Sequence, residues 1–576
     1  MYVIDIETRA IEAHGPCLPE PVGVAIKYPS GESVYLSWAH PSGNNALKGW
    51  VAAELQTIWD KEWLTHNGCC FDVPVLAHHF GFPQRPWHLT HDTLFLSFLN
   101  NPHERSLSLK DMAHEHCGMA PTEQHDLQTW ILENTPCKSR KQAGAYIADA
   151  PAELVAPYAI GDVERTWALW QSLRDRVLPS MQQAYDRERR LAPILVGVQN
   201  QGLRVDMKRL KKATAEYEET LERLDNTVRT ALNAPGLSLD SDADLVLALQ
   251  ANGVSGFGKT ATGKTSAAKG SLDAALADNP ELRETLATRS TIATCLSTFM
   301  RPWVEQAGKN SGRLHAAYNQ VRNPDGYGTR TGRMSSSSPN LQNVQRDTEG
   351  YFSLRSVLLP EPGHVWVTGD FKSQEPRIAA HFEDGALLQA YKDNPELDQY
   401  LWIAEMANVS RKQAKVIFLA LLYGMGLDKL AAQLGVSRVD AEIIRKKVRA
   451  ALPGIVNLNR EVMDRFKRGL HIRTLGGRIY HCEPPKNGMT FEYKALNVLV
   501  QGSAADQGKE AVIYIHDRLE PGERILGMVH DEISVSCLPE RVEAIKQLMR
   551  EAACALPCDA PMLMDCGHGN NWSEAK

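Results

Sequence analysis

ILGMVHDEISVSC, residues 525–537, reads as two short strands, Ile525–Val529 and Ile533–Cys537, closed by a turn carrying His530, Asp531 and Glu532. A second segment, HVWVTGDFKSQEPRIAAHF (364–382), reads as a strand over Val365–Thr368 that runs into Asp370 and then into a helical stretch. If these strands are neighbours, Asp370 and Asp531 meet at their ends. Two buried aspartates side by side repel unless a cation sits between them. The pair therefore points to metal, and the metal to phosphate chemistry. Between the two segments, RKQAKVIFLALLYGMG (411–426) reads as a helix with Arg411, Lys415, Leu419 and Tyr423 on one stripe at four-residue steps. Val416, Ile417, Ala420 and Leu421 form its core-facing side. Two cations, an apolar side chain and then a ring suit a triphosphate with a base stacked beyond it. Taken alone, a charged face over an apolar core explains the helix equally well.

The N-terminus repeats the theme. Tyr2–Glu7 reads as a strand whose alternation puts Val3, Asp5 and Glu7 on one face and Tyr2, Ile4 and Ile6 on the other. HNGCCFDVPVL (66–76) places Asp72 after an Asn-Gly turn, and YAIGD (158–162) places Tyr158 one helical turn before Asp162. Four acids and a tyrosine from three segments ask for one explanation. Hard oxygen ligands suit Mg²⁺ or Mn²⁺, and two such ions generate a nucleophile and stabilise a leaving 3′ oxygen.

Composition sets the bounds. At 576 residues the chain has room for roughly three to four domains. Hydrophobic content of 43% and charged content of 23% are those of a soluble globular protein. A net charge of -6 decides nothing about nucleic acid, because a binding groove is a local feature. Eleven scattered cysteines suit reduced thiols in a cytoplasm better than a disulfide framework, and neither His114, His116 and Cys117 nor Cys554 and Cys558 complete a zinc motif. The opening MYVIDIETRA lacks the basic-then-apolar pattern of a signal peptide, and no apolar run is long enough for a bilayer. No membrane partner is expected.

The N-terminal motifs resemble those of the DEDDy 3′→5′ exonucleases, and DTLFLSFLNNPHERSLSLKDMA (92–113) is also similar to that family. The resemblance implies that Asp5, Glu7, Asp72 and Asp162 hold two divalent cations and that Tyr158 orients the attacking water. Further on, TRTGRMSSSSPNLQNV (329–344), DFKSQEPR (370–377), RKQAKVIFLALLYG, NVLVQGSAAD (497–506) and VHDEI (529–533) resemble, in order, the signatures of family A DNA polymerases. The ending DCGHGNNW (565–572) is similar too. That likeness runs from about residue 191 to the C-terminus. It implies primer–template DNA and dNTPs as substrates, with two Mg²⁺ or Mn²⁺ ions in each active site. Asp370 and Asp531 would hold the polymerase metals with the Phe371 carbonyl. Arg411 and Lys415 would hold the triphosphate, Lys415 also donating a proton to pyrophosphate. Leu419 would lie along the nucleotide, Glu375 would exclude a ribose 2′-OH, and Tyr423 would close the base-pair pocket. Arg333, Gln342, Asn343, Asn497, Gln501 and His530 would touch primer and template in the minor groove.

The chain departs from the family pattern at Leu419, usually aromatic, at Ala420, often glycine, and at Lys372, Ser373, Gln374 and Pro376. These departures bear on sugar selection and speed. GKTATGKT (258–265) fits a P-loop pattern, but ANGVSGF before it is no strand. A thumb tip whose Lys259, Lys264 and Lys269 meet backbone phosphates explains it better. The expected architecture is α/β plus α+β and multidomain: an RNase H-like exonuclease at 1–176, then a right-hand polymerase. Its thumb is expected at 177–330, its palm at 331–384 and 498–576, and its fingers at 385–497. The strand at the start leaves no room for a 5′ nuclease, a phage-type layout that brings a helicase or other replisome proteins into view as partners. The alternative is a 3′→5′ exonuclease whose inactive polymerase body clamps DNA.

Overall fold

In the computed structural model, which describes residues 1–12, 14–260, 263–323, 326–345 and 347–576, β1 (Tyr2–Thr8) is the central strand of a five-stranded sheet. β2 (Pro21–Lys27) and β3 (Ser33–Ser37) continue it antiparallel, and β4 (Trp63–Thr65) and β5 (Thr90–Asp92) lie parallel on the other side. A central strand is covered on both faces. Val3 packs with Leu64, Phe95 and Val163, while Ile4 and Ile6 pack with Val24, Val51 and Trp63. After β4 the chain turns through Asn67, whose φ is 67°. The buried Asp92 carboxylate fixes that turn by accepting the N–H groups of Asn67 at 2.8 Å and Cys69 at 3.1 Å. This delivers α1 (Asp72–Phe80) with Asp72 at its first turn. α2 (Leu109–Cys117) is capped by Ser108.

α3 (Ala152–Gln201) runs for 50 residues and kinks at Met181, close to Pro179. Its second half buries Leu191, Ile194 and Leu195 against Val367, Phe371, Ile533 and Val535 of a second sheet. That sheet is built on β6 (Val365–Phe371). A helical group follows: α4 (Gln374–Glu383), α5 (Gln399–Ala407), α6 (Arg411–Leu422), α7 (Arg438–Ala451) and α8 (Pro453–Lys467). Its core holds Ile378, Ile403, Phe418, Val448 and Leu458. α9 (Ala495–His516) leads back to the sheet through β7 (Arg524–Val529), β8 (Glu532–Cys537), α10 (Val542–Ala552) and β9 (Met564–Gly569). The strand order is β7-β8-β6-β9, all antiparallel.

These elements form one of two compact units, made of residues 1–202, 315–343 and 360–576. The other comprises 203–314 and 344–359. It contains the helices Met207–Ala231 and Pro280–Cys295, with Val228, Leu232, Leu249 and Leu286 in its core. The compact unit differs from the expected thumb at 177–330. It starts at 203 because residues before Gly202 spend their apolar stripe on β6 and β8, and it adds a return segment after 343. Within it, GKTATGKT follows a helix, Asp242–Ala251, rather than a strand, and Lys259 bridges to Thr265. Residues 261 and 262 of that motif lie outside the described residues. Among the described residues no helix is long and apolar enough to cross a membrane.

Candidate functional site

Asp5 and Glu7 extend from β1, and Asp162 projects from α3 so that one ligand oxygen from each lies within 4.8 Å of the others. Asp72, at the start of α1, accepts the Ile6 N–H at 2.9 Å and so stands beside the strand. Burial, followed by the charges of Asp72, Asp162 and Glu7, holds the Asp5 carboxyl well above the usual range. Glu7 is pushed up to about 8 by burial and by Asp162, and Asp72 to about 7 chiefly by burial. Carboxylates held this close give up their protons when a divalent cation replaces them, and hard oxygens are the donors such a cation takes. The residues fit the metal. Tyr158, one turn before Asp162, has its phenol pushed up by burial and by Asp162, Glu7 and Asp5. Among the described residues this is the only group of three or more histidine, cysteine and acidic side chains close enough to hold one ion.

Sequence reasoning missed Lys110. From α2 its Nζ reaches Asp162 Oδ2 at 2.6 Å and lies 4.0 Å from the centre of the Tyr158 ring. Arg165 Nη1 flanks Asp162 from the other side at 3.3 Å and pairs with Glu123. A lone lysine inside SLSLKDMA carries no spacing that announces this, since its partners are 48 and 52 residues away.

The second constellation is set by register. β6 pairs with β8 so that Asp370 faces Glu532, and the Phe371 N–H donates to the Asp531 carbonyl at 3.1 Å. Asp370 and Asp531 thus come to one end of the sheet. His530 turns the chain with φ 59°. Glu532 takes no part, because its carboxylate turns inward to the Trp572 indole N–H and to Lys576. A cavity of about 230 Å³ beside this end is lined by Arg333, Gln342, Phe371, His530 and Asp531. Gln342 donates to the Met334 carbonyl at 3.0 Å, and Asn343 ends the same short turn, exposed.

Glu375, on α4, accepts the Tyr423 hydroxyl at 2.6 Å and lies 3.2 Å from Arg333 Nη2. Gln501 of α9 bonds to Tyr423 as well, one turn after Asn497. α6 begins on a capping box between Ser410 and Gln413. Arg411 and Lys415 are exposed along it, with Leu419 half-buried. Arg411 Nε pairs with Asp398 at 2.7 Å, and the Tyr400 ring centre lies 5.7 Å from both cations. Asp398 and Tyr400 are further residues that sequence reasoning missed. Lys372 pairs with Glu396 on the same loop as Asp398. Lys259, Lys264 and Lys269 are exposed in the other unit.

Two family profiles match the chain, one described as "DNA polymerase family A" over residues 207–574 and one as "3'-5' exonuclease" over 16–178. Asp72, Tyr158 and Asp162 fall within the second span, and Asp5 and Glu7 precede it. DNA polymerase I of Pseudomonas aeruginosa is 27% identical over the whole chain and 64% of its own length. The thermostable DNA polymerase I of Thermus filiformis is 28% identical over 82% of the chain and 58% of its length. A DNA-directed DNA polymerase of Pseudomonas phage M6 is 30% identical, over 74% of the chain and 71% of that protein. The chain thus spans about three fifths of the two bacterial enzymes. Among solved structures, the POL domain of Pol1 from M. smegmatis, in complex with DNA primer-template and dNTP, superposes with a TM-score of 0.81 at 22% identity, covering 100% of the chain and 96% of that domain.

Proposed function

The chain belongs to DNA polymerase family A, and on that premise we propose that it extends a DNA primer on a template with dNTPs and trims mispaired 3′ ends. One observation carries the reading: a single compact unit holds two separate carboxylate constellations, each at the end or centre of its own sheet. In this reading Asp5, Glu7, Asp72 and Asp162 hold two ions for trimming, and Asp370, Asp531 and the Phe371 carbonyl hold two for synthesis, as Mg²⁺ or Mn²⁺. Bound there, such ions lower the pKa of an attacking oxygen and stabilise the leaving one.

The chain's own residues do the rest. Arg411 and Lys415 grip the triphosphate at the start of α6, Lys415 also serving as proton donor to pyrophosphate. Leu419 packs along the nucleotide, and Tyr423 closes the pairing pocket. Glu375, held between Arg333 and Tyr423, excludes a 2′-OH. Gln342, Asn343, Asn497, Gln501, His530 and Arg333 check the minor groove. Tyr158 orients water at the other site. Residues 1–176 act as the exonuclease, the unit 203–314 with 344–359, in place of the expected 177–330, as thumb with Lys259, Lys264 and Lys269 on backbone phosphates, the rest of 331–384 with 498–576 as palm, and 385–497 as fingers. Replication, in a cytoplasm that suits the eleven free thiols, is the setting, with helicase-type replisome proteins as partners. The clamp reading, an exonuclease with an inert polymerase body, is opposed by intact Asp370, Glu375, Lys415 and Asp531.

Primer extension and 3′ degradation, measured side by side, test the assignment. Asp5→Ala should abolish degradation of single-stranded ends and leave extension intact, and Asp370→Ala should do the reverse. Loss of both activities from either change, in folded protein, would sink the two-site reading. Wild-type protein that degrades but never extends would favour the clamp.

A further inference from the structure

Behind α6, on the side opposite Lys415 and Leu419 by helical spacing, lies a cavity of about 160 Å³. One wall is apolar, made by Ile417 and Leu421 with Gly424 just past the helix end. Facing it are Arg445 and Arg449, one turn apart on α7, and Asn459 of α8. Among the described residues no carboxylate pairs with either arginine, and Arg445 Nε is shielded from solvent with no acceptor. Several of the chain's other inward guanidiniums do meet carboxylates. Arg187 and Arg478 meet Asp506, and Arg289 meets Asp225 and Asp240. A shielded guanidinium nitrogen without an acceptor is costly. Two forked donors and an amide around a small space, with no acid among them, call for an oxyanion, and the fork matches a phosphate two oxygens at a time.

Position identifies whose phosphate it is, given the polymerase reading on which this step rests. Gly424 directly follows Tyr423, whose hydroxyl is bonded to Glu375 at the site of the nascent pair. The primer ends at that pair. The strand that continues past it is the template, still unpaired. We propose that Arg445, Arg449 and Asn459 form a phosphate site that grips the unpaired template strand just ahead of the base pair being made. The contact is to the backbone, so it positions the template without reading its sequence. Free phosphate or the pyrophosphate product offers the same chemistry, and the test separates the sources.

Two primer–templates with the same duplex are compared by fluorescence anisotropy in an Asp5→Ala background. One has a template 5′ overhang of ten nucleotides. The other has a single overhanging nucleotide whose 5′ end carries no phosphate. Arg445→Gln with Arg449→Gln should weaken binding of the long overhang by about tenfold, and flatten its dependence of log K on log salt by about 1 to 1.5, leaving the short one unchanged. The double lysine variant should keep most of the salt dependence while losing affinity, since a point charge lacks the fork. Thermal melts establish that the variants are folded. Equal losses on both substrates, or none, would overturn the proposal. So would a wild-type thermal shift with inorganic phosphate or pyrophosphate that the glutamine variant loses with no overhang effect, which would assign the site to a free anion. Wild-type protein that binds neither substrate would remove the polymerase reading and this site with it.

Discussion

Lys110 is the residue on which the geometry of the N-terminal carboxylate cluster turns. It binds Asp162 and lies against Tyr158, so in the proposed function it would fix both a metal ligand and the group that orients water. Displacing such groups by an ångström costs about a hundredfold in rate at the upper end. Lys110→Met should therefore slow 3′ degradation by about ten- to a hundredfold with primer extension unchanged, and Lys110→Arg should recover part of it. A methionine variant that degrades single strands at the wild-type rate would make Lys110 a bystander. Glu375 is the corresponding residue at the other site. Arg333 and Tyr423 hold its carboxylate in place, which in the proposed function would keep it against a 2′-OH. Glu375→Ala should raise the ratio of ribonucleotide to deoxynucleotide incorporation by roughly tenfold or more in single-turnover assays, the size expected when a steric exclusion is removed. An unchanged ratio would place the gate elsewhere.

At the scale of elements, α3 and α9 are joined by an ion pair sealed from water. Glu188 and Lys509 are both fully buried, 2.6 Å apart, and Gln320 bonds to each. Burial lowers the Lys509 pKa to about 8, with Glu188 working against the shift. Removing one partner leaves an uncompensated charge, so Glu188→Leu should cost about 3–5 kcal/mol in urea melts. Lys509→Met on top should restore most of it, since a buried pair is often worth little against apolar groups of similar size. A double variant as unstable as the sum of the two singles would refute that account.

This pair also marks the limit of what the sequence makes legible. The candidate carboxylates could be read because they sit on local patterns: Asp5 and Glu7 on an alternating strand, Asp370 and Asp531 at strand ends. The pairing of β6 with β8 that joins the last two was posed as a condition, and the register meets it. Glu188 and Lys509 lie 321 residues apart, at positions outside the motifs their helices carry, and nothing in the spacing of Arg445 and Arg449 announces the cavity they line behind α6. The start of the second unit was illegible for a related reason. α3 runs on as helix past its kink at Met181 to Gln201, and only the tertiary packing tells which core its second half serves.

The whole molecule carries a stability cost at the Asp5, Glu7 and Asp72 cluster that a bound ion should relieve. Unfolded carboxyls titrate near 4, whereas Glu7 and Asp72 do so at about 8 and 7 in the folded chain and Asp5 well above its ordinary value. A raised carboxyl pKa gives stability that is complete below about pH 4 and lost as pH rises through the folded value. In EDTA these groups should therefore lower the melting temperature between about pH 5 and 8. Mg²⁺ or Mn²⁺ should raise it, more at pH 8 than at pH 6, because bound ligands must be deprotonated. Asp5→Asn should melt higher than wild type in EDTA and gain less from metal. A melting temperature in EDTA that climbs from pH 5 to 8 in wild type but not in Asp5→Asn would contradict this.

α3 has one more consequence. It carries Tyr158 and Asp162 near its start and buries Leu191 and Ile194 on the polymerase sheet near its end. Helical rise makes the stretch from Asp162 to Leu191 at most about 44 Å long, less what the kink at Met181 removes. In the proposed function, a primer terminus cannot occupy both places, so each erasure begins with a journey. A well-paired end seldom sets out, while a frayed one is already loose enough to leave. Accuracy then needs no signal passed between the two sites: the length of one helix sets the delay, and the race between the next addition and that departure decides which errors survive.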